Sequence, residues 1–233
     1  MHAAVGLALA AFAGCNNKVP SGDGISDIQF RTTEGFHSVE LLTGGAVTLR
    51  SGTEVALRVE ADRNLIDNLK TEVRDSVLRI YFDREVNYRL TPLIRVDVPG
   101  VLRRIRVVGG GLVSETNARN ALQSEFRVEG TGSIQVQTGS ISQTTAQVVG
   151  LGAVNLVGQT DQLNVQVDGS GEVQALSLPA RSAQAVVNGS GQVYVAASDS
   201  LVAAVYGSGK VFYSGSPRIR SLNNTTTGIE PVQ

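Results

Sequence analysis

The sequence has little of the residues from which most catalytic and metal sites are built. Its 233 residues include one cysteine, two histidines and no tryptophan. A single cysteine excludes an intrachain disulfide, and two histidines are too few for a histidine-rich metal site. We therefore predict neither a metal nor another cofactor, and no catalytic residues.

The sequence also has no large excess of charge of either sign. The formal net charge is −1, so the composition gives no attraction for a polyanion and we predict no nucleic-acid partner. Glycine is abundant, at 26 residues, and valine, serine and threonine are frequent. This composition disfavours long helices and indicates an all-β protein.

The first residues have the character of an export signal. Residues 1–13 are small and apolar and too few to span a bilayer. The run ends at Phe12-Ala13 and is followed directly by Gly14-Cys15. Small residues directly before a cysteine resemble a bacterial lipobox, although Phe12 stands where leucine is usual and no basic residue precedes the run. We predict a signal peptide over 1–14 and lipidation of Cys15; the alternative is an ordinary apolar cysteine in a secretory peptide.

The next stretch is polar and contains proline and glycine. We therefore predict that residues 15–27 comprise the lipidated cysteine and a flexible tether. From 28 to 106 apolar and polar residues alternate in short runs, as in Val77–Phe82, which predicts an irregular, strand-rich part. A helical turn is plausible over Asn64–Lys70. The basic cluster Leu102–Arg106 suits either an anion contact or a solvated strand face.

A glycine repeat organises the rest of the chain. Gly-x-Gly or its equivalent begins at residues 109, 130, 150, 169, 189 and 207, at steps of 21, 20, 19, 20 and 18. Such a period indicates a stacked repeat. Glycine suits a corner where φ is positive or two backbones approach closely. We predict structural corners at Gly130, Gly132, Gly150, Gly152, Gly169, Gly171, Gly189, Gly191, Gly207 and Gly209.

Apolar columns flank every corner. Before the glycines stand Val128, Val148, Val167, Val187 and Val205, and after them stand Ile134, Val154, Val173, Val193 and Val211. About 20 residues complete one coil of three short strands, and coils stack ~4.8 Å apart. We therefore predict a right-handed parallel β-helix, with regular coils over 107–220 and a C-terminal cap or tail over 221–233. A sandwich of hairpins is the competing all-β fold.

These motifs resemble a known bacterial family, the "putative auto-transporter adhesin, head GIN domain" group. The resemblance rests on Gly-Ser-Gly at 169–171, 189–191 and 207–209, on Tyr213-Ser214-Gly215-Ser216-Pro217, on Glu60–Leu65 and on Val98-Pro99. It covers residues 28–220 and implies a β-helical domain, exported and often a lipoprotein. One departure is Thr226-Thr227-Gly228-Ile229, a degraded seventh repeat.

An enzyme is a weaker hypothesis. β-Helices can carry paired carboxylates, and Glu129 and Asp168 share a column two coils apart, with Asn188 beside Asp168. That spacing suits an inverting glycosidase, but the simpler interpretation is that these side chains cap the turn. A column of Glu172, Gln192 and Lys210 is interpreted as a surface ladder.

We therefore expect a non-catalytic lipoprotein of the bacterial cell envelope, most simply of the outer membrane, that acts as an adhesin-like binding or structural module. Its expected contacts are the membrane, through Cys15, and a glycan or an envelope protein. Tyr194, Tyr206 and Phe212 form either an aromatic strip for a glycan or a cap on the stack. The alternative function is a sensor or scaffold that binds a partner, or a second copy, through the open edge of a terminal coil.

Overall fold

The computed structural model describes residues 18–116, 120–223 and 227–232. The predicted signal peptide and Cys15 lie outside these residues. The described chain is all β, with seventeen strands in one continuous sheet. Their bounds are β1 Ser26–Arg31, β2 Ser38–Leu41, β3 Ala46–Ser51, β4 Ala56–Asp62, β5 Leu69–Arg74, β6 Val77–Phe82, β7 Leu93–Val98, β8 Arg104–Gly109, β9 Leu112–Glu115, β10 Ala121–Gly130, β11 Ser133–Gly150, β12 Ala153–Gly169, β13 Glu172–Gly189, β14 Gln192–Gly207, β15 Lys210–Ser214, β16 Arg218–Ser221 and β17 Ile229–Pro231.

The regular coils form a β-solenoid, as the glycine period predicts. Strands β10 to β14 pair in parallel, each with its equivalent about 20 residues further on. Val128 lies opposite Val148, which lies opposite Val167 and then Val187. The inward columns are therefore continuous through the stack, and one hydrophobic core extends along the whole solenoid. This stacking confirms the predicted β-helix and excludes the sandwich of hairpins.

Each coil is divided into short sides. Along β11 the buried positions alternate from Ile134 to Thr138, skip a residue to Ile141 and again to Thr144, and then alternate to Val148. Where the spacing between buried residues is three instead of two, both residues can face the core only if the chain bends between them. With the glycine corner, these two bends give the three sides that the period predicts.

The glycines at the corners have two distinct geometries. The first glycine of each pair has positive φ, for example 127° at Gly189, a value that side-chain-bearing residues rarely adopt. The second glycine does not, but a Cβ at Gly191 would lie 2.5 Å from the carbonyl oxygen of Gly171 and 2.6 Å from Val167. Glycine is needed at the second position because consecutive coils approach closely.

The N-terminal end departs from the parallel pattern. Strands β5 and β6 form an antiparallel hairpin, and β4 pairs antiparallel with both β7 and β1. Residues 63–68 overlap the segment where a short helix or a helical turn is predicted. They form turns, with one helical bond from the N–H of Leu69 to the carbonyl of Leu65 at 3.3 Å, and they place Leu65 and Ile66 in the core. This segment closes the end of the solenoid with apolar side chains.

The predicted tether extends too far into the domain. Ser21 bridges to Asn87, Gly22 donates its N–H to the Asn87 carbonyl at 2.8 Å, and β1 begins at Ser26. This segment also supplies one of three backbone hydrogen bonds to a buried carboxylate, through the N–H of Gly24. Asp62, fully buried, accepts backbone N–H groups of Gly24 at 2.8 Å, Arg89 at 2.8 Å and Leu90 at 3.0 Å. Because the Pro20 carbonyl also accepts the N–H of Asn87, at 2.9 Å, only the part of the tether before Pro20 stays a prediction.

The C-terminal residues complete a partial coil. Strand β16 pairs with β14, and β17 pairs with β15, so that Ile229 lies opposite Val211. Ser221 and Asn223 occupy positions where earlier coils carry core residues, and the Ser221 hydroxyl donates to the Asn223 amide oxygen at 2.7 Å. Polar residues in the last layer allow the end of the stack to be exposed to water.

Candidate functional site: the corner groove

A groove crosses five consecutive coils on the corner that lies between the two bends. It has a volume of about 660 Å³, within the range of small-molecule sites. At ~4.8 Å between coils, its length is about 19 Å. We call this feature the corner groove; its lining residues are Ser140, Ile141, Ser142, Gln159, Thr160, Asp161, Pro179, Ala180, Arg181, Ala196, Ala197, Ser198, Ser214, Gly215 and Ser216.

Unequal coil lengths produce the groove. Between matched positions the chain takes five steps from Ala175 to Ala180, but only two from Val195 to Ala197. The longer coil bulges outward at Pro179, which needs no ladder partner for an N–H, while Leu178 anchors the bulge in the core. The shorter coil recedes, and its small side chains leave the concavity.

The floor is apolar and the rim is polar. Ala180, Ala196 and Ala197 are buried and form the floor beside Ile141 and Thr160. The hydroxyl of Thr160 donates inward to the carbonyl oxygen of Gln162 at 3.1 Å. The floor therefore has few free hydrogen-bonding groups, and hydrogen bonds to a ligand would have to come from the rim.

Two opposite charges stand on the rim. Asp161 and Arg181 are exposed and belong to adjacent coils, near the exposed amide of Gln159 and the hydroxyls of Ser142 and Ser198. Within the part of the chain that the structure describes, neither charge has an ion-pair partner. These donors and acceptors are available to a ligand with many hydroxyl groups.

Glu129 and Asp168, the carboxylates of the weaker enzyme hypothesis, are hydrogen-bonded to side chains of their own and adjacent strands. Glu129 receives a bidentate contact from Arg106, at 3.1 and 3.2 Å, and a further hydrogen bond from Arg127. These guanidinium groups lower the pKa of Glu129 to about 2. Asp168 accepts from Asn188 at 2.6 Å and from Gln166 at 2.7 Å. Glu129 therefore stays ionised at neutral pH and cannot act as the general acid of an inverting glycosidase.

The basic cluster on β8 is likewise paired. Arg104 contacts Glu125 at 2.9 Å, and Arg106 contacts Glu40 at 3.5 Å in addition to Glu129. These ion pairs connect strands of neighbouring coils along one outer face. The arrangement supports the solvated-face interpretation of the cluster rather than an anion contact.

The three aromatic residues do not form one strip. Tyr194 and Phe212 stack on adjacent coils with ring centroids 4.7 Å apart. Lys210 lies over the Phe212 ring at 5.7 Å and pairs with Glu230 of the last strand at 2.9 Å. Tyr206 belongs to the column of Asn188, on the other side of the glycine corner. The stacked pair thus ties the final coils together.

The corner groove was not predicted from the sequence. Asp161 and Arg181 are isolated charges in a polar background, and the floor consists of common small residues. The one available signal was the uneven step between glycines, 20 residues from Gly169 and 18 from Gly189. A shortened coil in a regular stack must recede somewhere, but the sequence does not show at which corner.

Among the described residues, no group of three or more histidine, cysteine, aspartate or glutamate side chains is arranged to hold a metal ion. The same part of the chain contains no helix of the length and apolar character needed to cross a membrane.

Comparison with solved structures gives the same fold in several bacterial proteins. One is a putative adhesin from Bacteroides fragilis NCTC 9343, with 22% identity over 91% of this chain and 95% of that chain and a TM-score of 0.80. Another is a putative lipid binding protein from Parabacteroides distasonis ATCC 8503, with 20% identity over 93% and 100% and a TM-score of 0.74. A putative adhesin from Parabacteroides merdae ATCC 43184 has 14% identity over 91% and 98% and a TM-score of 0.69.

Sequence comparison identifies the family. Curated proteins give no match to this chain. The family model described as "Putative auto-transporter adhesin, head GIN domain" matches residues 35–217, which is most of the described chain. The matched range contains the glycine corners, the N-terminal hairpin and the corner groove. The chain belongs to the head GIN domain family of putative auto-transporter adhesins.

Proposed function

We propose that this protein is an exported, lipid-anchored, adhesin-like module that binds a carbohydrate chain in the corner groove, without a catalytic step. The family and the adhesins of the same fold support the adhesin-like role and export. The observation that carries the choice of site is the groove itself, because it combines a flat apolar floor with a rim of hydroxyl, amide and unpaired charged groups.

The shape of the groove favours a chain-like ligand. It extends for about 19 Å along the solenoid axis and is open to solvent along its length. Sugar rings present apolar faces and hydroxyl edges. Ala180 and Ala197 can pack against such faces, while Asp161, Arg181 and Gln159 can exchange hydrogen bonds with the hydroxyls. Neither charge has to give up an ion pair within the described chain to do so.

The anchor rests on the sequence before the domain. Cys15 follows small residues and an apolar run, and the first backbone hydrogen bond of the domain is made by Pro20, whose carbonyl accepts the N–H of Asn87 at 2.9 Å. The intervening residues would hold the domain close to the outer membrane. We expect Cys15→Ser to move the protein from the membrane fraction to the soluble fraction. Retention of the Cys15→Ser protein in the membrane pellet would contradict lipid anchoring without affecting the proposed groove.

The groove is tested by blocking it. The full-length Cys15→Ser protein is screened on a glycan array, and the best binder is titrated by calorimetry. Ser198→Trp adds an indole to the exposed rim, and we expect at least a tenfold loss of affinity. The matched control is Ala153→Trp, an exposed strand position on another side of the coil. Equal binding by Ser198→Trp and the control would exclude the groove.

The same titration separates two ligand classes. Because one protein of the same fold is named a lipid binding protein, phospholipid vesicles are included beside the glycans. The carbohydrate proposal predicts that vesicles bind the Cys15→Ser protein no more tightly than they bind its Ser198→Trp variant. Vesicle binding that Ser198→Trp abolishes, with no glycan bound, would replace the carbohydrate by a lipid.

A further inference from the structure

Strand β1 is the outermost strand at the N-terminal end of the solenoid. It pairs with β4, which pairs with β7, and β7 pairs with β3 of the first coil. On the opposite side the sheet ends at β5, which pairs with β6, which pairs with β2. Counted from the first coil, β1 is three layers out and β5 is two. The free edge of β1 therefore projects ~4.8 Å further along the solenoid axis than the free edge of β5.

The backbone groups that face the free edge can be identified. In an antiparallel ladder, alternate residues direct both their N–H and C=O to the same neighbour. The carbonyl of Ile25 accepts the N–H of Arg63 at 2.8 Å, so odd-numbered residues face β4. Consistently, the N–H of Ile28 donates to the Asp27 carboxylate at 2.8 Å rather than to β4. Among the described residues, Ser26 and Phe30 thus direct their N–H and C=O groups, and Ile28 its C=O group, to the free edge without a ladder partner. The Ile28 N–H also faces this edge, where the Asp27 carboxylate holds it.

The outer face of the same strand is apolar. The Phe30 residue is 81% exposed and Ile28 is 44% exposed. Ile28 lies opposite Glu60 on β4, and Glu60 lies opposite Leu93 on β7, which is itself 41% exposed. Soluble proteins usually protect such edges with lysine, proline or a covering loop. Residues 26–31 contain neither lysine nor proline.

The strand is held in place from its inner face. The Arg31 guanidinium donates to the carbonyl oxygen of Ile66 at 2.8 Å and to that of Leu69. The Gln29 amide donates to the Asp67 carboxylate at 2.8 Å. Burial lowers the pKa of Arg31, and Asp67 acts against that shift. These contacts fix β1 on the turn below it, so the edge is preformed.

We propose that the edge of β1 binds the same edge of a second copy, antiparallel, across a two-fold axis at Gln29. In this register Ile28 lies opposite Phe30 of the second copy, and Asp27 lies opposite Arg31. The Ile28 N–H then exchanges the Asp27 carboxylate for the Phe30 carbonyl of the second copy, which frees Asp27 to face the opposite charge of Arg31. Apolar residues pair on the outer face. Centring the axis on Ile28 instead would set Ser26 opposite Phe30 and lose both pairs.

Such a dimer joins two solenoids end to end, which goes beyond ligand binding by one domain. Each copy keeps its corner groove, because the groove lies in coils at the other end of the stack. Two grooves on one assembly raise the apparent affinity for a repetitive surface, since the second contact becomes intramolecular.

The first test is the oligomeric state of the full-length Cys15→Ser protein by sedimentation velocity. We expect a dimer at about 0.1 mM, and Phe30→Lys to weaken it at least tenfold. The matched control is Leu122→Lys, because Leu122 is equally exposed at 81% but lies on a regular coil. A monomer at about 0.1 mM, where a dimer with Kd of about 10 µM would be mostly assembled, would overturn the proposal. Equal dimerisation by both lysine variants would also overturn it.

The second test fixes the register. Gln29 is the one residue that meets itself. Its N–H and C=O face β4, so the two copies form a non-hydrogen-bonded pair, in which Cβ atoms approach to about 4.5 Å or closer, within reach of the ~3.5–4.5 Å of a disulfide. In the Cys15→Ser background, Gln29→Cys introduces the sole thiol. We expect it to form a disulfide-linked dimer under mild oxidation, whereas Leu122→Cys does not. Efficient cross-linking of both variants, or of neither, would exclude a two-fold axis at Gln29.

Discussion

Replacing Gly189 by alanine tests how the corners hold the coils together. Gly189 has φ of 127°, and a Cβ there would lie 2.4 Å from the carbonyl oxygen of Gly169 one coil below. That oxygen cannot simply move away, because it accepts the N–H groups of Ser190 and Gly191, both at 3.0 Å. The alanine methyl therefore collides with backbone that is already bonded.

The cost can be estimated from these contacts. Backbone strain at an unfavourable φ costs about 1–3 kcal/mol, and each weakened hydrogen bond about 1 kcal/mol. We expect the free energy of unfolding to fall by about 3–5 kcal/mol, a large share of the ~5–15 kcal/mol typical of a domain. Gly191→Ala separates the two causes, since Gly191 lacks positive φ but has a similarly close contact.

Urea unfolding followed by circular dichroism measures this change. The control is Gly35→Ala, because a methyl group on Gly35 would have no atom within 4 Å and the residue has no positive φ. We expect that variant to differ from the parent protein by less than about 0.5 kcal/mol. A loss of less than about 1 kcal/mol for Gly189→Ala would show that coils slide or tilt freely at the corners, contrary to the reasoning.

Other changes probe the core and the N-terminal closure. Val167→Asp places an unpaired charge in a fully buried column and should unfold the domain at room temperature, whereas Gln184→Asp, at an exposed position of the next coil, should leave the urea midpoint nearly unchanged. Asp62→Asn should destabilise the domain by roughly 2–4 kcal/mol, because three backbone N–H groups lose a charged acceptor. Burial alone would raise the pKa of Asp62, but these N–H groups hold it below its usual value, so its contribution is complete above the unfolded-state pKa of about 4 and is lost as the pH falls through the folded-state pKa. The parent protein should therefore lose more stability than Asp62→Asn between about pH 5 and about pH 2; parallel pH profiles would contradict this assignment.

The solenoid could be predicted because every coil places the same structural requirements on its residues. Every coil needs an inward residue at the same place, so Val148, Val167 and Val187 reinforce one another as a pattern. The glycine corners repeat for the same reason, since each coil meets the one below at the same close distance. A feature that appears once per coil is visible even without knowing what surrounds it.

Features that occur once were harder to predict. The closure of the N-terminal end depends on β1 and the β5–β6 hairpin, which pair antiparallel and leave no periodic trace. Asp62 appears as an ordinary charged residue at the end of a strand, and its three N–H partners come from distant segments. The polar segment before β1 resembles a linker in composition because most of its contacts use backbone groups.

The groove shows a third limit. Its concavity comes from the difference in length between two adjacent coils, and a sequence determines their total length but not where the extra residues bulge. Pro179 marks the bulge only after the pairing of Ala180 with Ala197 is known. The charges of Asp161 and Arg181 become neighbours on the rim only through the register of β12 and β13, in which Thr160 lies opposite Ala180.

The most direct test of the corner groove is to map bound carbohydrate onto the backbone amides. The full-length Cys15→Ser protein, of about the 24.5 kDa of the natural chain, is titrated with its tightest glycan while amide chemical shifts are recorded. The largest shifts are expected at Thr160, Ala180 and Ala197. Shifts centred instead on Tyr194 and Phe212, or the absence of any glycan that perturbs the groove amides, would contradict the assignment of this groove as the binding site.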